Sequence, residues 1–142
     1  MTQDSVAVFF YGLFMDESLL DSKGIIPSVA KAGYVDGYRL RIGTRAMLVP
    51  ERGSRAYGIL MTVGRDEAAK LYGDETVADY VAESVSVTLL SGTVKSAITY
   101  NLPLGEFDGA NAAYAESLLL LATKLGFPVE YLDQIRAEGK RQ

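Results

Sequence analysis

The chain contains neither histidine nor cysteine, and this restricts the chemistry open to it. Nucleophilic catalysis by Ser-His-Asp or Cys-His sets, disulfides and thiolate metal sites are excluded. Acid–base chemistry therefore has to come from carboxylates, lysine or tyrosine. Asp74 and Glu75 lie side by side between a predicted helix end at Gly73 and a predicted strand. On such a loop, either burial raises the carboxylate pKa enough to make a base near neutral pH, or the acid is simply solvated.

Glu83 is a rival candidate for the acid or base. It lies in phase with Val81, Val85 and Val87 in an alternating segment, so the alternation puts its carboxylate on the apolar face of a strand. Two interpretations stay open. Either a bulge shifts the register at this point, or Glu83 points into a barrel or cleft.

A candidate anion-binding segment follows the first predicted strand. In Tyr11-Gly12-Leu13-Phe14-Met15 the glycine allows the backbone to turn sharply and to leave consecutive N–H groups unpaired. Such donors can hold a carboxylate or carbonyl oxygen; the alternative is an ordinary strand end with a glycine turn. Tyr80 and Tyr100 also lie on predicted strands or at their ends. Each tyrosine is either a core residue with one solvated hydroxyl or a binding residue.

The elements that position these residues are predicted as strands with short helices inserted and two helices at the end. The predicted strands are 6–11, 32–49, 55–63, 80–90 and 93–102, with a turn at 51–54; the predicted helices are 16–20, 65–72, 110–125 and 128 to about 137. Gly33, Gly37 and Gly43 inside strand-like sequence favour bulges or strong curvature. We therefore expect an α+β fold with a small, mixed, strongly curved or barrel-like sheet.

Length and charge limit the domain organisation and the partners. The 142 residues suit a single domain, 1–142, and 14 Lys and Arg against 18 Asp and Glu give a net charge of −4. We expect no nucleic-acid partner, because a phosphate backbone needs a clustered basic face. No apolar run approaches the length of a membrane span, and the N-terminus lacks the basic region of a signal peptide. These features predict a cytoplasmic protein; they do not indicate its oligomeric state.

Several short motifs, in order, resemble the γ-glutamylcyclotransferase-like superfamily, which includes the AIG2-like proteins and γ-glutamylamine cyclotransferases. The segment 11–15 is similar to its YGS or YGT strand-to-loop motif, and Leu71-x-x-x-Glu75 falls where the family has L-D-x-x-E-G. Further matches are VDGYRL at 35–40, AMLVPERG at 46–53, AYGIL at 56–60, Tyr80 with VSV at 85–87, and GFPVEYL at 126–132.

The resemblance implies a fold, a reaction and a site. The family reaction converts a γ-glutamyl compound into 5-oxoproline and a free amine or amino acid, by attack of the substrate's own α-amine on its γ-carbonyl. Glu75 then matches the catalytic acid–base residue, and the segment Tyr11, Gly12, Leu13, Phe14, Met15 would hold the α-carboxylate, with Tyr80 as a further contact. The expected partner is a small γ-glutamyl substrate. No metal or organic cofactor is called for.

The chain departs from the family pattern beside both motifs. Leu13 replaces the usual Ser or Thr, so one side-chain hydroxyl is missing from the loop, and Thr76 replaces the Gly after the acid. Two alternatives to a cyclotransferase therefore stay open. The first is an inactive family member that serves as a small-molecule binding or regulatory module, and the second is a pathway-specific γ-glutamyl deprotecting enzyme.

Overall fold

A computed structural model describes residues 5–73, 80–102, 109 and 111–140. The elements in these ranges are strands β1 Ser5–Phe10, β2 Val29–Ile42, β3 Ala46–Gly64, β4 Val81–Leu89 and β5 Val94–Asn101, and helices α1 Glu17–Ser22, α2 Arg65–Leu71, α3 Ala112–Leu125 and α4 Val129–Lys140. A single 3₁₀ turn, Leu13–Met15, follows β1. The strands and helices thus follow one another in the predicted order.

The five strands close into a barrel in the order β1-β3-β2-β4-β5. Neighbouring strands are antiparallel except for β1 and β5, which run parallel and meet at Val8 and Ile98. One hydrophobic cluster includes side chains from every strand and from all four helices. The predicted α+β fold with a mixed, barrel-like sheet and two C-terminal helices is confirmed.

The long hairpin of β2 and β3 corrects one prediction. The predicted turn at 51–54 is wrong, because β3 runs on through these residues; the reversal comes instead at 43–45. The pairing register shifts between Asp36 and Tyr38, and Gly53 has a left-handed φ of +86°. The segment 51–54 therefore forms an irregular part of β3 and not a turn, although its composition is that of a turn. The reason is that β2 and β3 pair on both sides of it.

The hairpin of β4 and β5 has an unbroken register from Val81 opposite Asn101 to Thr88 opposite Val94. Val85, Val87 and Leu89 are buried on one face, as predicted. This pairing shows no register-shifting bulge at Glu83, which was one of the two interpretations. Glu83 lies on the same face as the buried valines and is half-buried near the start of the strand.

The helices cover the barrel and use local capping signals. Asp16 caps α1 by accepting a hydrogen bond from the Ser18 N–H at 2.9 Å. Gly126 ends α3 with a left-handed φ of +82°. α4 runs to Lys140, three residues beyond the predicted end, and its buried Glu138 accepts from the Ile42 N–H at 2.8 Å. No helix in the described ranges is long and apolar enough to cross a membrane.

Candidate functional site

A cavity of about 360 Å³ lies where β1 ends, and we call it the tyrosine cavity. Its walls come from the β1 end and the 3₁₀ turn, from α1 and its C-cap residue, from Arg45 and the start of β3, and from one tyrosine each of four other segments. The lining residues are Phe10, Tyr11, Gly12, Leu13, Phe14, Leu19, Lys23, Arg45, Ala46, Tyr72, Tyr80, Tyr100 and Tyr114. The structure thus brings together Tyr11 to Phe14 and Tyr80 of the sequence-predicted site.

The 3₁₀ turn that lines this cavity has main-chain N–H groups without acceptors. The Met15 N–H donates to the Gly12 carbonyl at 3.0 Å, and the Leu13 N–H donates to the Tyr114 hydroxyl at 3.3 Å. Among the residues that the structure describes, the N–H groups of Gly12 and Phe14 have no acceptor. Met15 differs from its neighbours, because its side chain is buried in the core and does not line the cavity.

Tyr114, from the first turns of α3, is a site residue that sequence reasoning missed. Its hydroxyl lies so close to Gly12 that a methyl group there would approach the phenolic oxygen to 2.5 Å. Because the hydroxyl accepts from Leu13, its own proton is left over, and it has no acceptor in the described part of the chain. Burial raises the Tyr114 pKa to about 12, so this hydroxyl is a neutral donor at neutral pH. From sequence, Tyr114 is only an apolar position of an Ala/Leu helix.

Two other tyrosine hydroxyls are held by the protein itself. Tyr11 can donate to the Tyr100 carbonyl at 2.9 Å or to the Asn101 side chain at 3.2 Å. Tyr80, a predicted contact, donates a short hydrogen bond to the Ala46 carbonyl. Because this hydroxyl already donates its proton, it can act toward a ligand only as a hydrogen-bond acceptor.

The tyrosine rings form a packed wall. Tyr72 and Tyr100 stack with centroids 3.9 Å apart, and the Tyr80 ring lies 5.9 Å from that of Tyr72. Burial raises the pKa of Tyr11, Tyr72 and Tyr80 above 10, with smaller contributions from neighbouring phenols. The wall therefore stays uncharged at neutral pH and excludes water from one side of the cavity.

The charged side chains among the described lining residues are cationic. Lys23 and Arg45 line the cavity, and the Arg45 guanidinium carbon lies 5.8 Å from the centre of the Tyr80 ring. None of the described lining residues is a carboxylate. Glu83 does not line the cavity either; its carboxylate accepts from the buried Asn101 amide at 3.4 Å. Glu75 lies outside the described residues, so the structure gives no position for the predicted acid–base group.

A second, larger cavity of about 680 Å³ lies between the irregular part of the β2–β3 hairpin and α4. Its polar groups are mostly paired with one another. Arg55 forms an ion pair with Asp36 at 2.8 Å and lies over the Tyr34 ring at 3.8 Å. The Tyr131 hydroxyl donates to the Tyr57 carbonyl at 3.3 Å. The predicted site residues that the structure describes, Tyr11 to Met15 and Tyr80, do not line this cavity.

Comparisons with solved structures show the same fold. A protein described as "Gamma-glutamyl cyclotransferase" aligns with a TM-score of 0.76 and 16% identity, over 94% of this chain and 88% of its own. YkqA from Bacillus subtilis aligns with a TM-score of 0.79 and 19% identity, over 97% and 55%. An AIG2-like protein from Mus musculus gives 0.58 and 16%, over 78% and 90%. No curated protein sequence matches the chain.

A family model described as "Gamma-glutamyl cyclotransferase, AIG2-like" matches residues 8–117. This range begins in β1 and ends in α3, so it includes the 3₁₀ turn, strands β2 to β5, the second half of β1 and Tyr114. More than half of the chain is matched. The chain belongs to the AIG2-like gamma-glutamyl cyclotransferase family.

Proposed function

We propose that this protein is a γ-glutamyl cyclotransferase that binds its substrate in the tyrosine cavity and releases 5-oxoproline. The observation that carries the proposal is the set of unpaired donors at one place: the Gly12 and Phe14 N–H groups and the Tyr114 hydroxyl. Main-chain N–H groups and a hydroxyl that line a cavity without acceptors are ready to hold an anionic oxygen. A γ-glutamyl compound has such a group in its α-carboxylate.

The missing hydroxyl at position 13 has a substitute in this proposal. Leu13 offers no side-chain donor, but the Tyr114 oxygen lies 3.3 Å from the Leu13 nitrogen and has a free proton. Tyr114 thus supplies from α3 the donor that a Ser or Thr in the turn would supply. The turn and Tyr114 together fix the α-carboxylate, which leaves the α-amine and the flexible γ-glutamyl chain to fold back on themselves.

The reaction needs no nucleophile from the protein. The α-amine attacks the γ-carbonyl, the new C–N bond closes the five-membered ring, and the bond to the leaving nitrogen breaks. The proton that the amine loses ends on the leaving nitrogen, so one acid–base group suffices. An unperturbed α-amine pKa is ~7.7–8.0, so much of it is ammonium at neutral pH and a base must remove its proton. Orienting an intramolecular attack removes roughly 7–11 kcal/mol of barrier in favourable cases.

Glu75 is the proposed acid–base group. The walls of the tyrosine cavity include Tyr72 and Tyr80, three residues before and five residues after Glu75. Since consecutive Cα atoms are 3.8 Å apart, a residue three positions from Tyr72 lies within about 11 Å of it. Glu83 is the rival. It is already engaged by the Asn101 amide and is not part of the cavity lining.

The test is 5-oxoproline formation from a panel of γ-glutamyl compounds, with Glu75→Gln and Glu83→Gln as a matched pair. Gln keeps the shape of the side chain and removes proton transfer, so we expect Glu75→Gln to lower kcat by about 10²–10⁴. Glu83→Gln should change kcat by less than about threefold, because Gln retains an acceptor for Asn101. A larger loss with Glu83→Gln reverses the assignment, and no 5-oxoproline from any compound refutes the proposed activity.

One observation favours a second candidate function, a binding module without turnover. The Leu13 N–H, one of the donors of the turn, is already occupied by Tyr114. A module of this kind would bind a small carboxylate such as 5-oxoproline and raise its own melting temperature, yet convert no γ-glutamyl compound.

A further inference from the structure

The side chain of Asn101, at the end of β5, connects several strands next to the tyrosine cavity. It is buried, with 3% of its surface exposed. Its carboxamide oxygen accepts from the Leu48 N–H at 2.8 Å and from the Leu102 N–H at 3.0 Å, and the Tyr11 hydroxyl lies 3.2 Å away. Its nitrogen donates to the Leu48 carbonyl at 2.8 Å and to the Glu83 carboxylate at 3.4 Å. The proposed function assigns no role to Asn101.

We propose that Asn101 is a positioning residue of the tyrosine cavity, which holds the start of β3 against the end of β5 and against Tyr11. Asn101 is not one of the lining residues, so it does not touch the substrate in this account. Its effect on the reaction rests on the proposed function, because Tyr11 directly precedes the donors that this function assigns to the α-carboxylate, the N–H groups of Gly12 and Phe14. Glu83 is the acceptor that orients the Asn101 amide.

The start of β3 depends on side chains for part of its main-chain hydrogen bonding. In the described strands, β1 pairs with β3 only from Ile59 to Gly64, so the start of β3 pairs with β2 alone. Leu48 lies opposite Leu40 of β2, but its N–H and its carbonyl both bond to Asn101 and therefore point away from β2. The Asn101 carboxamide replaces a neighbouring strand here, because it has the donor and the acceptor of a peptide group.

A second side chain bonds to the same edge of β3 two residues earlier. The Ala46 carbonyl accepts from the Tyr80 hydroxyl, and both residues line the tyrosine cavity. Main-chain groups that point to one edge of a strand recur at every second residue, so Ala46 and Leu48 face the same edge. Side chains, and not a strand, therefore hold β3 beside the cavity. A shift of this edge moves a wall of the cavity relative to the turn after β1.

The orientation of the Asn101 amide follows from its neighbours. Three donors face its oxygen and two acceptors face its nitrogen, so the reverse orientation would place donors against donors and acceptors against acceptors. Glu83 supplies one of the two acceptors from β4, where it shares a face with the buried Val85 and Val87. This contact explains why a carboxylate lies in phase with buried valines: its partner is a buried amide.

The test compares Asn101→Leu with Thr99→Val, the matched control. Thr99 is 1% exposed, and its hydroxyl donates to the Phe9 carbonyl at 2.7 Å, so its variant also removes a buried hydrogen bond of β5. Neither Thr99 nor Phe9 lines the tyrosine cavity. We expect Asn101→Leu to lower kcat/KM for 5-oxoproline formation by about 10- to 100-fold, the effect of a site displaced by up to about 1 Å. Thr99→Val should lower the melting temperature but leave kcat/KM within about twofold.

A second set of variants serves if Asn101→Leu does not fold. Asn101→Asp keeps an acceptor for Leu48 and Tyr11 but places a carboxylate against that of Glu83. Because like charges at this distance repel, we expect kcat/KM to fall by about tenfold. Adding Glu83→Gln removes one charge and supplies an amide that donates to the new carboxylate. The double variant should therefore be at least about threefold more active than Asn101→Asp alone.

Amide signals of the ligand-free, ¹⁵N-labelled protein give a readout that does not need turnover. Asn101→Leu, or Asn101→Asp in its place, should shift the signals of Gly12, Leu13 and Phe14 more than Thr99→Val does. A residue with a structural role alone would lower the melting temperature without this difference.

The outcomes separate the two proposals. Equal kcat/KM for the Asn101 variant and Thr99→Val overturns the positioning role and leaves the cyclotransferase proposal standing, and so does a double variant that recovers no activity. Absence of 5-oxoproline with the unmodified protein overturns the proposed function. The amide signals of the turn then decide the positioning role by themselves: signals that Asn101 variants leave in place overturn it, and shifted signals support it.

Discussion

The tyrosine cavity and the larger cavity beside α4 differ in how their polar groups are used. In the larger one, Arg55 is paired with Asp36, and the Tyr131 hydroxyl donates to a main-chain carbonyl. In the smaller tyrosine cavity, main-chain donors of the turn at Gly12 and the Tyr114 proton have no acceptor in the described residues. The larger cavity does contain one buried group without a partner, the Gln134 Oε1 atom, but it is an acceptor and does not attract an anion. Spare donors, and not volume, therefore distinguish the candidate site.

The largest expected effect concerns stability at alkaline pH. Burial raises the pKa of four tyrosines of the tyrosine cavity, Tyr11, Tyr72, Tyr80 and Tyr114, against one of the larger cavity, Tyr131. In the unfolded chain each phenol ionises near pH ~10, whereas the folded protein keeps its protons to higher pH. This stability is thus fully present below pH ~10 and is lost as pH rises above it. At pH 11 the ionisation of each of these phenols in the unfolded chain lowers the free energy of unfolding by roughly 1 kcal/mol.

Urea unfolding at pH 8 and pH 11 measures this loss, and absorbance at 295 nm measures tyrosinate in the folded protein. We expect the folded protein at pH 11 to show far less tyrosinate than the unfolded chain. A free energy of unfolding that is the same at the two pH values would contradict the burial argument. Tyr131→Phe should recover only a small part of the loss, because most of the affected phenols belong to the tyrosine cavity.

Gly12→Ala should reduce activity strongly, because its methyl group would approach the Tyr114 oxygen to 2.5 Å and displace either that hydroxyl or the turn. We expect kcat/KM for 5-oxoproline formation to fall by about 100-fold, the effect of a site displaced by about 1 Å. Gly53→Ala in the larger cavity is the matched control. Its φ is +86° with open space around it, so it should cost about 1 kcal/mol of stability and leave kcat/KM within about twofold. Similar activity losses for both variants would remove the distinction between the cavities.

Tyr114→Phe should have a smaller effect, since it removes one donor and keeps the ring. We expect kcat/KM to fall by about 10-fold, the value of one hydrogen bond to a charged group. Tyr131→Phe removes a hydroxyl of the larger cavity, whose partner is the Tyr57 carbonyl. It should lower stability by about 1 kcal/mol or less and leave kcat/KM unchanged. An unchanged kcat/KM for Tyr114→Phe would show that the substrate does not use this hydroxyl.

Local signals in the sequence predicted much of the fold. Asp16 caps α1 and Gly126 ends α3, because each of these features depends on neighbouring residues. The predicted hairpin turn at Ser91-Gly92 is also found, although the connection from β4 to β5 takes four residues, 90–93, and not two. The predicted turn at 51–54 failed for the opposite reason. Its composition is that of a turn, but pairing between β2 and β3 on both sides of it determines the backbone there.

The candidate site was predictable only in part, and the reason is the distance along the chain between its members. The turn at Tyr11 to Phe14 follows from a glycine after a buried strand. Tyr114 comes 101 residues after Leu13, and only the docking of α3 on the barrel brings the two together. Arg45 likewise lines the cavity because it lies in the chain reversal between β2 and β3. Sequence reasoning predicted this reversal at 51–54 and so could not place Arg45 there.

The most direct test of the central claim is to locate the binding site of 5-oxoproline, the proposed product. Titration of ¹⁵N-labelled protein with 5-oxoproline should shift the amide signals of Gly12, Leu13 and Phe14, and Tyr114→Phe should weaken these shifts. The signals of Ser54 and Arg55 in the larger cavity should stay in place. Saturable shifts at Ser54 and Arg55, with the turn after β1 unaffected, would contradict the account.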